Sequence, residues 1–320
     1  MLESLDGVRN QKLPVTIITG FLGSGKTTLL NRILQNRQDL KVAVLVNEFG
    51  DINIDSQLLM TVGEDMVELS NGCICCTIND SLANTVYEVL ARPEKLDYLI
   101  VETTGVADPL PIALTFLGSE LRDLTYVDGI LTVVDAENFS LKQGEAAVKQ
   151  IMYGDIALLN KTDLVTTDRL GKVETQIHET KEGARILHMQ HGEVPLPLIL
   201  DVKLAQSENY PLEITETENQ PKPRHLQNDG YLSVSFQSKR PFSLRKFQHF
   251  LDNQLPVNIY RMKGILWFEE SPARHVFQLS GRRFHLDDST WEDQPSNQLV
   301  CIGHKINPIE IQQYLANCLA

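Results

Sequence analysis

One octapeptide constrains the fold of this chain more than any other feature. Residues Gly20 to Thr27 read GFLGSGKT and match the P-loop pattern G-x-x-x-x-G-K-[ST] at every fixed position. The apolar run Val15–Thr19 precedes it, and a segment with helical apolar spacing, Thr28–Leu34, follows it. Strand, loop and helix therefore occur in the order that turns successive backbone N–H groups toward phosphate oxygens. We expect a nucleoside triphosphate here, with Lys26 at its β- and γ-oxygens and the Thr27 hydroxyl on Mg²⁺.

Composition and charge exclude several classes of protein. The 320-residue chain is 42% hydrophobic and 22% charged, an ordinary composition for a globular protein with one or two cores. Its formal charge of −13 argues against general nucleic-acid binding, which needs basic surface. No stretch approaches about 18 consecutive apolar residues, and the N-terminus has neither a basic n-region nor an apolar h-region. We expect a cytoplasmic protein that binds neither nucleic acid nor membrane.

Apolar, β-rich runs recur along the first 200 residues, with helical patterns between most of them. They are Val15–Thr19, Val42–Val46, Tyr98–Val101, Ile130–Val134, Ile156–Leu159 and a run around Ile186 and Leu187. The alternation predicts an α/β fold of the P-loop NTPase type, a parallel sheet with helices on both faces. Just past predicted strand ends lie Gly20, Asn47, Glu102, Asp135 and Asn160. Because ligands bind at the carboxyl ends of such strands, we expect one functional edge.

A change in composition predicts two domains. Residues 213–229 are polar, interrupted by prolines and without periodicity, which is typical of a linker. We therefore assign residues 1–212 to the P-loop domain and residues 230–320 to a smaller α+β domain. In the latter the patterns predict strands at Tyr231–Phe236, Gly264–Glu269 and His275–Leu279, a helix at Ser243–Asn253, and a final strand and helix within Leu299–Ala316.

The tetrapeptide Asn160-Lys161-Thr162-Asp163 predicts the base of the nucleotide. It follows the predicted strand Ile156–Leu159. The Asp163 carboxylate can accept hydrogen bonds from the N1–H and 2-amino groups of guanine, a pattern that adenine does not offer. GTP is therefore favoured over ATP. The alternative is a polar strand-to-helix loop in which Asp163 caps a helix.

A carboxylate ends the predicted strand Tyr98–Val101. P-loop proteins place at this point the acid that holds Mg²⁺ or its water shell, and here it is Glu102. Gly105, three residues later, has an amide that can contact the γ-phosphate. Either Glu102 or Asp51 can position the attacking water. The alternative for Glu102 is a carboxylate that caps the following helix.

Three of the five cysteines lie within four positions, at Cys73, Cys75 and Cys76. An odd, clustered set indicates a reduced thiol site and not a secreted disulfide framework. Thiolates select Zn²⁺ or Cu(I) and tolerate Co²⁺ or Ni²⁺. Glu48 is the first candidate for a fourth metal ligand, ahead of Asp51 and Asp55. A redox switch is the competing interpretation.

Five segments together resemble one family. GFLGSGKTTLLN, VNEFGDINIDSQLL, SNGCICCTI, ETTGVADP and NKTD are similar to motifs of the CobW-like metal-chaperone GTPases, relatives of UreG and HypB. The resemblance covers roughly residues 13–200, and residues 261–268 (RMKGILWF) resemble the family's C-terminal domain more loosely. It implies a CxCC metal motif at Cys73–Cys76, a Walker B glutamate at Glu102 and guanine recognition at Asn160–Asp163. It also implies that phosphate is bound by Gly20, Gly23, Ser24, Gly25, Lys26, Thr27 and Thr28.

These observations lead to one main hypothesis and two rivals. We expect a slow GTPase that binds a divalent transition metal, Zn²⁺ first and Co²⁺ or Ni²⁺ second, and delivers it to a client protein. A nickel-specific role is weakened because the chain has no histidine-rich run. The rivals are a thiol-based redox-sensing GTP-binding regulator and a P-loop kinase of small molecules. A homo-oligomer is compatible with the sequence.

Overall fold

The structure of the chain is a computed structural model, and it describes residues 12–36, 40–46, 66–68, 78–92, 96–118, 120–141, 144–200, 231–291 and 294–320. Contacts divide the chain into two compact units, Met1–Val194 and Pro195–Ala320. The predicted linker, residues 213–229, lies outside the described residues. The predicted domain bounds therefore stay a prediction.

A parallel sheet organises the first unit. Its strands are β1 (Leu13–Thr19), β2 (Val42–Val46), β3 (Met66–Glu68), β4 (Tyr98–Glu102), β5 (Thr125–Asp135), β6 (Ile156–Asn160) and β7 (Arg185–His188). They lie in the order β3-β2-β4-β1-β5-β6-β7. Every neighbouring pair is parallel. The predicted P-loop NTPase fold is confirmed.

Helices alternate with these strands. They are α1 (Lys26–Gln35), α2 (Ile78–Leu90), α3 (Pro109–Gly118), α4 (Glu145–Tyr153) and α5 (Thr167–Thr180), with 3₁₀ turns at Glu120–Asp123 and Thr162–Leu164. Alternate residues of β1, such as Val15 and Ile17, share a core with Phe116 of α3. Leu29 and Ile33 of α1 are also fully buried, at 0% exposure. Strands that are covered in this way read as continuous apolar runs, which is why the sequence revealed them.

A β-bulge interrupts β5 inside the sheet. Val15 pairs with Val127 and Thr16 with Gly129, so Asp128 is the extra residue. Asp128 is 5% exposed, and its carboxylate accepts a hydrogen bond from the Tyr98 hydroxyl. The same hydroxyl lies 2.8 Å from Thr16 Oγ1. A buried phenol thus joins β1, β4 and the bulge of β5.

The second unit is built on an antiparallel sheet. Its strands are β8 (Tyr231–Ser238), β9 (Ile259–Leu266), β10 (Arg274–Ser280), β11 (Arg283–Ser289) and β12 (Asn297–His304), in the order β11-β10-β9-β12-β8. Its helices are α6 (Leu196–Ile199), α7 (Leu244–His249), which continues as a π-helical turn at Phe250–Gln254, and α8 (Pro308–Asn317). An aromatic cluster centred on Phe247 fills the core, with ring centroids 5.3 Å from Phe242 and 5.4 Å from Phe277. The predicted α+β class is confirmed.

One predicted strand needs correction, and two strands were not predicted. The predicted strand Gly264–Glu269 is wrong in its bounds, because β9 begins at Ile259 and ends at Leu266. Just beyond it, Trp267 O accepts a hydrogen bond from Phe242 N at 2.8 Å, outside the sheet ladder. The sequence pattern did not predict β3, which has only three residues, or β11, whose run of Arg283, His285 and two aspartates is typical of a polar loop.

Removing the Tyr98 hydroxyl tests the buried network at the bulge. Tyr98→Phe leaves the buried Asp128 carboxylate and Thr16 hydroxyl without this partner, so we expect the free energy of unfolding to fall by about 1–3 kcal/mol. Urea titration of the full chain measures this loss. Tyr153→Phe, at a half-buried tyrosine on α4, is the control and should change it by less than about 0.5 kcal/mol. Equal effects of the two substitutions would contradict the assignment.

Candidate functional site

Glycines form the turn between β1 and α1. Gly20, Gly23 and Gly25 have positive φ angles of 142°, 73° and 102°, which residues with a Cβ rarely adopt. A Cβ on Gly20 would also lie 2.2 Å from Val133 O, and one on Gly25 would lie 2.3 Å from Asn160 Nδ2. At two of these positions, therefore, both the backbone conformation and the available space require glycine.

Lys26 begins α1 and its side chain lies against the loop. Its ammonium donates to Gly20 O at 3.0 Å and to Phe21 O at 3.4 Å, and the residue is only 8% exposed. Nearby, the Ser24 hydroxyl is buried and has no hydrogen-bond partner among the described residues. A buried cation beside an unsatisfied hydroxyl at a helix N-terminus is suited to an anion.

The structure brings Thr27 and Glu102 together. Glu102 is the last residue of β4 and is 3% exposed. The Thr27 hydroxyl donates to its Oε1 at 3.4 Å. A hydroxyl of α1 and a carboxylate of β4 thus lie close together, although Thr27 and Glu102 are 75 residues apart in sequence. Hard oxygen donors of this kind are the ligands that Mg²⁺ prefers.

Asn160 connects β6 to the P-loop. Its side-chain amide donates to Ser24 O at 2.9 Å, and the residue is 3% exposed. Gly25 lies directly against the same amide, which is why a Cβ there has no room. The first residue of the predicted guanine motif is therefore part of the structure of the predicted phosphate loop.

Lys161 follows in the left-handed conformation, with φ 60° and ψ 34°. Its ammonium donates to Asp135 Oδ2 at 2.7 Å. Asp135, at the end of β5, also accepts from the Asn138 backbone at 3.2 Å and side chain at 3.0 Å. Burial acts to raise the pKa of Asp135, but the hydrogen bonds from Lys161 and Asn138 outweigh it and hold that pKa below its ordinary value. The ion pair fixes the start of the loop that carries Asp163.

A loop after β7 lies beside Asp163. His191 Nε2 is 3.7 Å from Asp163 Oδ2, and the Asp163 side chain is 29% exposed. Arg32 of α1 holds this loop, since its guanidinium donates to His191 O at 3.3 Å and pairs with Glu193 at 3.0 Å. Nothing in the sequence singles out Arg32, because an arginine on an amphipathic helix reads as an ordinary solvated residue.

The predicted transition-metal site lies outside the described residues. This applies to Cys73, Cys75, Cys76 and Glu48, and also to Asp51, the alternative residue for positioning water. Within the described ranges, no group of three or more His, Cys, Asp or Glu residues could hold a metal ion. Burial raises the pKa of the Cys301 thiol to about 12 and that of Cys318 to about 11. Both thiols therefore stay protonated at neutral pH, which makes them poor metal ligands.

The fold and this edge define a P-loop nucleotide-binding protein. The family model described as "CobW/HypB/UreG, nucleotide-binding domain" matches residues 14–188, and "Cobalamin synthesis protein cobW C-terminal domain" matches residues 231–319. The chain belongs to the CobW/HypB/UreG family. This membership confirms the predicted resemblance and the predicted class of enzyme, a GTPase.

Several characterised relatives are similar over most of the chain. Zinc chaperone YjiA of Escherichia coli is 32% identical over 319 residues, which cover 95% of this chain and 98% of that protein. Zinc chaperone CobW of Pseudomonas aeruginosa is 30% identical over 357 residues, covering 97% and 92%. Zinc-regulated GTPase metalloprotein activator 1 of Dictyostelium discoideum is 34% identical over 307 residues, and this chain spans 64% of its length.

Among solved structures, Zn(II)-bound YjiA GTPase from E. coli is similar to this chain at 26% sequence identity. The match covers 97% of this chain and 100% of that one, with a TM-score of 0.45. Separately, no helix in the described ranges has the length and apolarity that crossing a bilayer requires.

The Lys161–Asp135 pair predicts a shift in acid stability. A carboxylate whose folded pKa is depressed contributes stability above its unfolded pKa, and that stability is lost as pH falls through the folded pKa. Lys161→Met removes the hydrogen bond and the attraction, so burial then raises the pKa of Asp135. We expect about 1–2 kcal/mol less stability at neutral pH and an acid transition that begins at higher pH.

Urea titrations between neutral pH and about pH 4 measure this effect. The matched control is Lys172→Met, because the Lys172–Asp168 pair has the same 2.7 Å distance but side chains that are 67% and 78% exposed. The Lys172–Asp168 pair should contribute less than about 0.5 kcal/mol to the free energy of unfolding. A Lys161 variant that behaves like the control would show that the partly buried pair is not stabilising.

Proposed function

We propose that this chain is a metallochaperone that hydrolyses GTP and uses the nucleotide state to hold and release Zn²⁺. The observation that carries the proposal is the convergence of the P-loop, the Thr27–Glu102 pair and the Asn160–Asp163 segment at one edge of the sheet. The family membership and the zinc-chaperone names of relatives that cover most of the chain support the cargo. Co²⁺ and Ni²⁺ fit the same thiolate chemistry.

Hydrolysis needs positioning and charge neutralisation more than covalent chemistry. The Lys26 ammonium lies in the loop, where it can exchange its carbonyl partners for phosphate oxygens. Thr27 and Glu102 have the donor chemistry for Mg²⁺, which when bound neutralises charge on the phosphates. Glu102 or Asp51 would orient the attacking water. Neither residues 20–27 nor residues 103–108 contain an arginine, so we expect slow intrinsic turnover that metal or client raises.

Base selectivity would rest on Asp163. Its carboxylate accepts two hydrogen bonds from guanine, while Lys161 and the Asn160–Ser24 hydrogen bond hold the segment in place. The neighbouring His191 loop, held by Arg32, would form the other side of the base site. Adenine would leave a carboxylate unpaired, and such losses have large effects on selectivity.

Substitution of Asp163 tests this base assignment. Asp163→Asn presents one donor and one acceptor, which fits the N1–H and C2 carbonyl of xanthine instead of guanine. We expect GTP affinity to fall by about a hundredfold or more while affinity for xanthosine triphosphate rises. Competition against a fluorescent nucleotide measures both affinities. Asp168→Asn, on the exposed face of α5, should change neither, and unaltered GTP binding by the Asp163 variant would contradict guanine recognition.

Metal binding is proposed at Cys73, Cys75 and Cys76, with Glu48 as the fourth ligand. GTP would order this segment together with residues 47–55, so that nucleotide and metal bind cooperatively. By thermodynamic linkage, Zn²⁺ would then strengthen GTP binding by the same factor as GTP strengthens Zn²⁺ binding. A typical coupling free energy of about 1–3 kcal/mol changes each affinity by roughly 5- to 150-fold. Hydrolysis would remove the γ-phosphate contacts and release the ion to a client metalloprotein in the cytoplasm.

Zinc affinity in two nucleotide states tests the chaperone cycle. Competition with a chromophoric chelator at fixed free Mg²⁺ should give tighter Zn²⁺ binding with a non-hydrolysable GTP analogue than with GDP, by at least about fivefold. Cys75→Ser should abolish the difference. Cys318→Ala, which removes a buried thiol elsewhere, is the matched control and should preserve it.

The other outcomes separate the rival functions. Equal Zn²⁺ affinity in both nucleotide states, together with reversible loss of GTP binding on mild oxidation, would indicate the thiol-based regulator. A phosphorylated acceptor after incubation with GTP and small metabolites would indicate the kinase. Either result would overturn the proposed cycle.

A further inference from the structure

A buried side-chain amide holds the loop that follows Glu102. Gln150 lies on α4 and is 1% exposed. Its Nε2 donates to Gly105 O and to Ala107 O, each at 3.1 Å. Between these two carbonyls, Val106 turns outward and is 47% exposed. Both hydrogens of the Gln150 amide thus form hydrogen bonds with backbone carbonyls of the same turn.

Lys149, also on α4, contacts the same loop at Asp108, the residue that follows Ala107. The Lys149 ammonium lies 3.3 Å from Asp108 Oδ2, and the Leu110 amide donates to Asp108 Oδ1 at 2.9 Å. The hydrogen bonds that the ammonium donates to Glu145 and then to Asp108 raise the pKa of Lys149 above its ordinary value. Helix α4 therefore contacts the loop both at its buried turn and at the start of α3.

The opposite side of the loop lies against the P-loop. A Cβ on Gly105 would be 2.5 Å from Leu22 Cδ2 and 2.7 Å from Leu22 N. Gly105 is thus packed closely against the P-loop, and Gln150 holds the loop from the other side. Gln150 itself is fixed, because the Thr132 hydroxyl of β5 donates to its backbone carbonyl at 2.6 Å.

A glutamine in this position has a cost that apolar packing would avoid. Burying an amide is unfavourable unless both donors find acceptors. A methionine of similar length would fill the same space without that requirement. The specific gain from glutamine is the placement of two backbone carbonyls, and with them the conformation of Gly105, which lies against Leu22 of the P-loop.

We propose that Gln150 is a positioning residue that sets the Gly105 loop to recognise the γ-phosphate and so favours GTP over GDP. This inference rests on the proposed function, in which the nucleotide state controls the cargo. Gln150 does not touch the nucleotide in this account. It acts by holding Gly105 O and Ala107 O, so its loss should weaken triphosphate binding more than diphosphate binding.

The test compares two nucleotides on the full chain. For Gln150→Met we expect affinity for a non-hydrolysable GTP analogue to fall by about tenfold while GDP affinity stays within about twofold, a change of about 1.4 kcal/mol in the preference. The rate constant for GTP hydrolysis should fall with it. Gln150→Glu, which keeps the length but cannot donate two hydrogen bonds as a carboxylate, should behave similarly. Gln313→Met, at an exposed helical glutamine of the second unit, should change nothing.

A merely structural role would give a different pattern. In that case the melting temperature would fall and both nucleotides would lose affinity equally, which would overturn the proposal, as would an unchanged preference. The wild-type chain serves as the check on the underlying function. If it binds the GTP analogue no better than an ATP analogue, the proposed function and this inference fail together; if it hydrolyses GTP and the preference is unmoved, only this inference fails.

Discussion

The hydrogen bond from Asn160 to the Ser24 carbonyl is the interaction on which the nucleotide edge depends. It is buried, 2.9 Å long, and joins residues 136 positions apart. Because the Asn160 amide occupies the space where a Cβ of Gly25 would lie, the end of β6 and the conformation of the P-loop determine each other. The predicted phosphate loop and the predicted guanine motif are thus parts of one structure.

The parallel sheet explains why distant residues meet at this edge. The carboxyl ends of adjacent parallel strands lie side by side, so β1, β4, β5 and β6 deliver Gly20, Glu102, Asp135 and Asn160 to one place. The register shows this directly, since Ile18 pairs with Glu102 and Asp135 with Asn160.

The sequence was sufficient to predict the structure wherever a pattern is compatible with only one arrangement of the chain. Apolar strands separated by helical periodicity predicted the parallel sheet, and the spacing around Gly25, Lys26 and Thr27 predicted the loop. It was insufficient where a role depends on a contact far away in sequence. Nothing local distinguishes Gln150 from a solvated helical glutamine, and nothing marks Lys161 as the partner of Asp135, since both contacts exist only after α4, β5 and β6 have packed.

Polar residues within strands explain the remaining differences, and they occur in two settings. Tyr98 and Asp128 satisfy each other across a bulge, so two strands tolerate polar groups that a simple apolar pattern would not include. Conversely, β11 consists largely of charged and aromatic residues that pair with β10 at the edge of the second sheet, and edge strands need no continuous apolar run. Secondary structure in these places follows from tertiary pairing and not from local pattern.

The most direct measurement is the affinity of inorganic pyrophosphate for the wild-type chain and for Asn160→Ala, determined by calorimetry beside GDP. If Asn160 shapes the P-loop through Ser24, the variant should bind pyrophosphate more weakly, by about five- to tenfold, although this ligand has no base. The affinity of the variant for GDP should fall by at least the same factor. Unchanged pyrophosphate affinity with a loss confined to GDP would contradict the account and leave Asn160 as a contact to the base alone.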